Sequence, residues 1–179
     1  MYKSVKDSRI EISELMLPSY RNFGGKIHGG YILGLMDQIA FACGSKHSGH
    51  YCVTASVDKV NFLNPIEVGD LVTMKASINY VGTSSMVVGI RVESENIRSG
   101  EKKHCNSSYF TMVAIKDGQT TRVPGLLIET KIQAKRFLQA LKRKKHDDQK
   151  DDILNRINNN LDDFLSELEG CRVKLQLKT

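Results

Sequence analysis

One carboxylate, Asp37, interrupts the apolar run KIHGGYILGLMDQIAFACG at residues 26–44. An ionised carboxylate among apolar side chains needs a partner, a shifted pKa or a chemical task. Two glycines precede it, and Gly30 lies seven residues before Asp37, two helical turns earlier on nearly the same face. If Gly30 opens a helix, its backbone N–H stands free at the positive end of the dipole. That amide suits the oxyanion of an attacked carbonyl, and a carboxylate beside it suits a general base. The competing reading is a buried Asp37 that only satisfies a structural hydrogen-bond network.

These residues need elements to position them. Residues 30–44, bounded by HGG and Gly44, are long enough to favour a helix and apolar nearly all round, which implies burial on most sides. Residues 51–62 alternate like a strand, with a bulge expected near Lys59. After the NPIEVGD turn, strands are expected over 71–82, 84–97 and 104–118, with RSGEKK as a hairpin-like loop. Gly89, inside one of them, fits a bend or bulge. An antiparallel sheet must bury one face, and the apolar helix is the natural object to wrap, giving an α+β domain.

The composition changes near residue 130. We assign residues 1–130 to the folded domain, with its core from about 8, and 131–179 to a charged helical extension. In that extension, 129–145 reads as a basic amphipathic helix that HDDQKDD breaks. Residues 153–169 read as a docking or oligomerising helix, and 171–178 as a short strand.

Composition excludes some classes. The chain of 179 residues has no run of 18 apolar residues and no signal-peptide pattern, so neither a membrane span nor secretion is expected. Four scattered cysteines without a CxxC pair read as reduced thiols of a cytoplasmic protein. The net charge of +6 suits an anionic ligand as well as nucleic acid. KRKK at 142–145 has no aromatic platform or DNA-binding motif beside it, so no nucleic-acid partner is expected. Cys43, His47, His50 and Cys52 match no familiar ligand spacing, and no metal is expected there.

The chain resembles the hotdog-fold acyl-CoA thioesterases in four stretches: NFGGKIHGGYILGLMDQIA (22–40), VTASVDKVNFLNPIEVGD (53–70), VGTSSM (81–86) and FTMVAIKDGQTTRVP (110–124). The likeness covers about residues 10–140. It implies a sheet of five or six strands around a long central helix. It implies dimers paired edge to edge and assembled as trimers of dimers, which act on acyl-CoA with no cofactor beyond the CoA of the substrate. It implies catalytic roles for Asn22, Asp37 and Thr54, with Asn22 supplied across the dimer and Asp37 activating water directly or through neighbours.

By residue type alone, Asn22 reads first as a turn residue and Thr54 as an ordinary strand residue. Thr54 would hold the attacking water or help bind the carbonyl. Gly29, Gly30 and His28 are expected at the oxyanion and substrate edge, His28 by helix-start packing or ligand contact. The prolines that accompany a catalytic histidine in hotdog dehydratases are missing here. Gly82, Ser84 and Ser85, with Lys59, are expected at CoA. Thr83 stands where the family often has a basic residue, which puts one phosphate contact in question and leaves Lys59, Arg91 or the basic tail to meet the CoA phosphates. The alternative function is a non-catalytic acyl-CoA-binding regulator on the same fold.

Overall fold

The computed structural model describes the backbone of residues 1–160, 163, 166 and 167, and the side chains of these apart from 147–151. Contacts divide the chain into two units, Met1–Ala140 and Leu141–Thr179. The first unit runs β1 (Tyr2–Ser4), α1 (Val5–Ser8), β2 (Ile10–Leu15), a 3-10 turn (Pro18–Tyr20), α2 (Gly29–Ser48) and β3 (Tyr51–Val57). It continues with β4 (Asp70–Val81), β5 (Ser85–Asn96), β6 (Lys102–Lys116), β7 (Gln119–Thr120), β8 (Gly125–Leu127) and the start of α3 (Lys131–Asn159). The main sheet is antiparallel in the order β2-β4-β5-β6-β3, with β7 beside β6, and β1 pairs in parallel with β8.

The sheet buries one face on α2. Val72, Met74, Ala76 and Ile78 of β4, Val88, Ile90 and Val92 of β5, and Phe110, Met112 and Ala114 of β6 form its apolar side. They meet Ile32, Leu35, Met36, Ile39, Ala40 and Cys43 of α2 in one cluster. The helix ends where Gly49 adopts φ 75° and donates its N–H to Ser45 O at 2.8 Å, a left-handed cap that favours glycine.

The α+β architecture and the expected strands are present, and four expectations change in detail. First, α2 is not buried on most sides: Gly34, Asp37, Gln38 and Phe41 form an exposed face. The sheet covers one side only, because β3 is its last strand. Second, β3 stops at Val57 and its irregularity lies between Thr54 and Ser56, not near Lys59. Asp58 N–H still bonds Tyr109 O, but the chain then leaves as a loop. Third, Gly89 pairs regularly with Ser77 and Tyr109, and the bulge is in its neighbour β4, between Ile78 and Tyr80. A Cβ there would lie 2.1 Å from Asn79 Nδ2, so a larger residue would displace the Asn79 side chain.

Fourth, HDDQKDD does not break the helix: α3 runs from Lys131 to Asn159. The strand expected at 171–178 lies outside the described residues, as does most of 160–169. The N-terminal strand β2 went unread, although Ile10 and Ile12 alternate with Glu11 and Ser13.

Candidate active site

The exposed face of α2 and the edge strand β3 meet at Asp37. Thr54 Oγ1 lies 2.5 Å from Asp37 Oδ1 and 3.5 Å from Met112 Sδ. A hydroxyl has one proton, and a carboxylate is a far stronger acceptor than a thioether. The proton therefore goes to Asp37, and Thr54 offers lone pairs to any third group. Asp37 Oδ2 has no partner among the described residues. Both side chains are exposed and, with Gln38, Phe41, Tyr51 and Val53, line a cavity of about 370 Å³. The Phe41 and Tyr51 rings meet edge-on at 5.5 Å and form its apolar side. The register break after Thr54 leaves Ala55 without a cross-strand partner.

The start of α2 departs from expectation. Gly30 N–H is not free: it donates to His28 Nδ1 at 2.9 Å, because His28 is the N-cap and its ring folds back over the first turn. Tyr31 N–H is taken by His28 O at 3.0 Å. Gly29 N–H has no partner among the described residues, so it is the amide left open at this helix end. Phe62 lies over Gly29, where a Cβ would stand 3.3 Å from its Cζ. Gly29, Phe62, Asn22, Ile32 and Ile66 line a second cavity of about 450 Å³.

Asn22 sits in that second cavity and not with Asp37 and Thr54. Its Oδ1 accepts from Gly24 N–H at 2.9 Å and Lys26 N–H at 3.2 Å, so within one chain it organises a turn. Of the residues expected at CoA, Gly82, Ser84 and Ser85 share the β4–β5 turn and Lys59 stands apart from them. Gly82 N–H closes the β4–β5 turn onto Ser85 O at 2.8 Å. Thr83 O accepts from Val123 N–H, and Ser84 O from Ala114 N–H, both at 3.0 Å. Gly82 and Thr83 share a cavity of about 640 Å³ with His50 and Arg122, whereas Lys59 is exposed in the loop after β3.

Cys43 and His47 are tied to different backbone carbonyls, while Cys52 Sγ reaches His50 O at 3.7 Å. Cys43 Sγ donates to Ser8 O at 3.2 Å, and burial pushes its pKa up to about 12. His47 Nε2 lies 3.0 Å from Pro124 O, and burial lowers its pKa. Cys52 Sγ is 3.4 Å from Ser48 Oγ. Sequence reasoning missed Gln38, Tyr51 and Phe62. A signal for Gln38 was present, since a second polar residue directly follows Asp37 in the same apolar run.

The thioesterase superfamily profile matches residues 24–101. Protein VdlD of Helicobacter pylori is 44% identical over 137 residues, 76% of this chain and 79% of that protein. The chain belongs to the hotdog-fold acyl-CoA thioesterase family. This thioesterase is also 33% identical, over 126 residues, to an uncharacterized acyl-CoA thioester hydrolase of Bacillus subtilis, YkhA, covering 70% of this chain and 73% of that one. It superposes on a crystal structure of an apo hexameric acyl-CoA thioesterase with a TM-score of 0.81 and 33% identity, covering 83% of this chain and 96% of the other. The Asp37–Thr54 contact and the open Gly29 amide all fall within the matched residues.

Proposed function

We propose that this thioesterase hydrolyses acyl-CoA to a free fatty acid and CoA, with Asp37 as the base. The hydrogen bond from Thr54 to Asp37, on the rim of an open cavity, carries this reading. Thr54 fixes one carboxylate oxygen and leaves Oδ2 free to take a proton. Water attacks the thioester carbon as its proton passes to Asp37. Charge develops on the carbonyl oxygen, where the amide of the partner subunit's Gly29, in one cavity with Asn22 at the positive end of α2, stabilises it. The C–S bond then breaks, and the CoA thiolate leaves and takes up a proton. Since its hydroxyl proton is already given to Asp37, Thr54 orients the carboxylate and accepts from the water instead of binding the carbonyl. No metal or added cofactor enters this scheme.

The working unit is a homo-oligomer. β3 is an unpaired edge whose Tyr51 is 62% and Val57 45% exposed, next to Phe41 of α2 at 39%. An apolar open edge invites pairing with another strand. A second copy paired there supplies the partner subunit's Asn22 near Asp37, and trimers of such dimers match the hexameric state of the similar thioesterase. A cytoplasmic location goes with the unpaired Cys43, Cys52 and Cys105. Among the described residues no helix is long and apolar enough to cross a membrane. The proposal assigns no role to nucleic acid.

A panel of acyl-CoA esters from short to long, read by thiol release, tests the reaction. Tight binding of these esters without turnover would replace it with non-catalytic acyl-CoA binding. Mixing inactive Asp37→Asn and Asn22→Ala subunits tests the shared site. Random pairing leaves about a quarter of wild-type activity if the two side chains come from different subunits, and none if they come from the same one.

A further inference from the structure

We propose that the face of the sheet turned away from α2 binds a small molecule bearing two or more phosphate charges, in a dent centred on Gly89. The inference does not depend on the hydrolysis reading. Strand register builds the dent. Glu11, Lys75, Arg91 and Ser107 stand opposite one another across β2, β4, β5 and β6, and Ser77, Gly89 and Tyr109 form the next row. Met74, Ala76, Ile90 and Val92 alternate with them and lie in the core, which puts both rows on the outer face.

Gly89 leaves the middle of the second row without a side chain, and Asn79, the extra residue of the β4 bulge, occupies the floor. Asn79 is 6% exposed and Ser77 9%. Ser77 Oγ donates to Asn79 Oδ1 at 3.4 Å, and no described residue accepts from Asn79 Nδ2. Both side chains line a cavity of about 520 Å³. The Asn79 amide therefore keeps a donor for an acceptor entering the cavity.

The rim is cationic. Arg9, Lys75, Arg91 and Arg136 line the cavity with one carboxylate, Glu11. Lys75 and Arg91 face each other directly in register, an arrangement that repels. Glu93 offsets part of this, accepting from Lys75 Nζ at 2.9 Å and Arg91 Nε at 2.7 Å. The terminal nitrogens of Arg91 stay available, and Arg9 and Arg136 have no acidic partner among the described residues. Arg136 is held near by the next residue of α3, Phe137, whose ring packs on Tyr80 at 5.0 Å. Guanidinium forks converging from three elements over a neutral amide donor suit phosphate oxygens, and more than one phosphate is needed to reach them together.

The test is calorimetric titration of the full chain with sodium pyrophosphate, with sodium sulfate at equal ionic strength as the reference. Binding should weaken about tenfold or more in the double variant Arg9→Gln/Arg136→Gln and stay unchanged in Asp37→Asn. Both arginines are exposed, so the double variant is expected to keep its circular dichroism spectrum. No binding above the sulfate reference, or equal affinity in the double variant, would overturn the proposal. Two further arms identify the source of the phosphates. A raised KM for acyl-CoA but not for acyl-pantetheine in the double variant assigns the dent to the phosphorylated end of the substrate. Unchanged KM with ADP displacing pyrophosphate from the wild type assigns it to a separate effector.

Discussion

The two long sides of α2 carry ionisable groups with opposite surroundings. On the sealed side, Cys43 and His47 are fully buried, each tied to a backbone carbonyl, and burial drives both toward their neutral forms. On the open side, Asp37 is exposed and bonded to a hydroxyl of the neighbouring edge strand. The same helix thus uses titratable residues for packing on one face and for chemistry on the other. Exposure decides which, because a proton can be exchanged with substrate only where substrate can reach. Substitutions on the two sides should therefore separate activity from stability.

The largest effect is expected on the open side. Asp37→Asn keeps size and hydrogen-bonding capacity but removes the base, and kcat in a thiol-release assay should fall by about 10²–10⁴-fold. Its urea midpoint should barely move, since exposed substitutions typically stay within about 0.5 kcal/mol. A variant that loses stability instead would make Asp37 a structural residue.

The sealed side should give the converse. Met36 is fully buried beneath the sheet, and Met36→Ala should cost about 2–5 kcal/mol of unfolding free energy. At temperatures where the variant stays folded, its KM and kcat should remain near wild type. Thr54→Val has a smaller effect than either. It conserves shape on β3 and removes the proton given to Asp37, a hydrogen bond to a charged group worth about 1.5–3 kcal/mol, or roughly a 10–150-fold loss of kcat. Little change would mean that Thr54 is an ordinary strand residue.

Much of this comparison was legible in the sequence, and the illegible part has a physical cause. The length of the apolar run showed α2, and alternation showed β4, β5 and β6, because local periodicity reports which side of an element is covered. Alternation cannot show which strand ends up at the sheet's edge. β3 therefore looked like any other strand, and α2 looked buried all round, although the missing neighbour of β3 is what opens the Asp37 face. Capping was misjudged for a similar reason. HGG marks a helix start, but which glycine amide His28 takes is settled by the fold-back of its ring, and this moved the open donor from Gly30 to Gly29. The pairing of Asp37 with Thr54 came from family likeness, since 17 residues of chain separate them and no local rule joins them.

The smallest predicted effect concerns His47 and reads the sealed side through pH. Its pKa is lowered from the ordinary 6.5 mainly by burial, with Lys3 pushing the same way, while the bond to Pro124 O and the charge of Asp7 oppose it. Below 6.5 the unfolded chain takes up a proton that the folded chain resists. Stability from this group is therefore fully present above that pH and lost as pH falls through it toward the folded value. Glu93, held down to about 2 by Lys75 and Arg91, acts in a separate window below 4.5. The urea midpoint should thus drop between pH 7.5 and pH 5.5 in the wild type and drop less in His47→Gln. Asp37→Asn should follow the wild-type curve over that range. An equal drop in His47→Gln and wild type would show that the buried imidazole does not set this slope, and the sealed side of α2 would lose its claim to be a purely neutral, packed face.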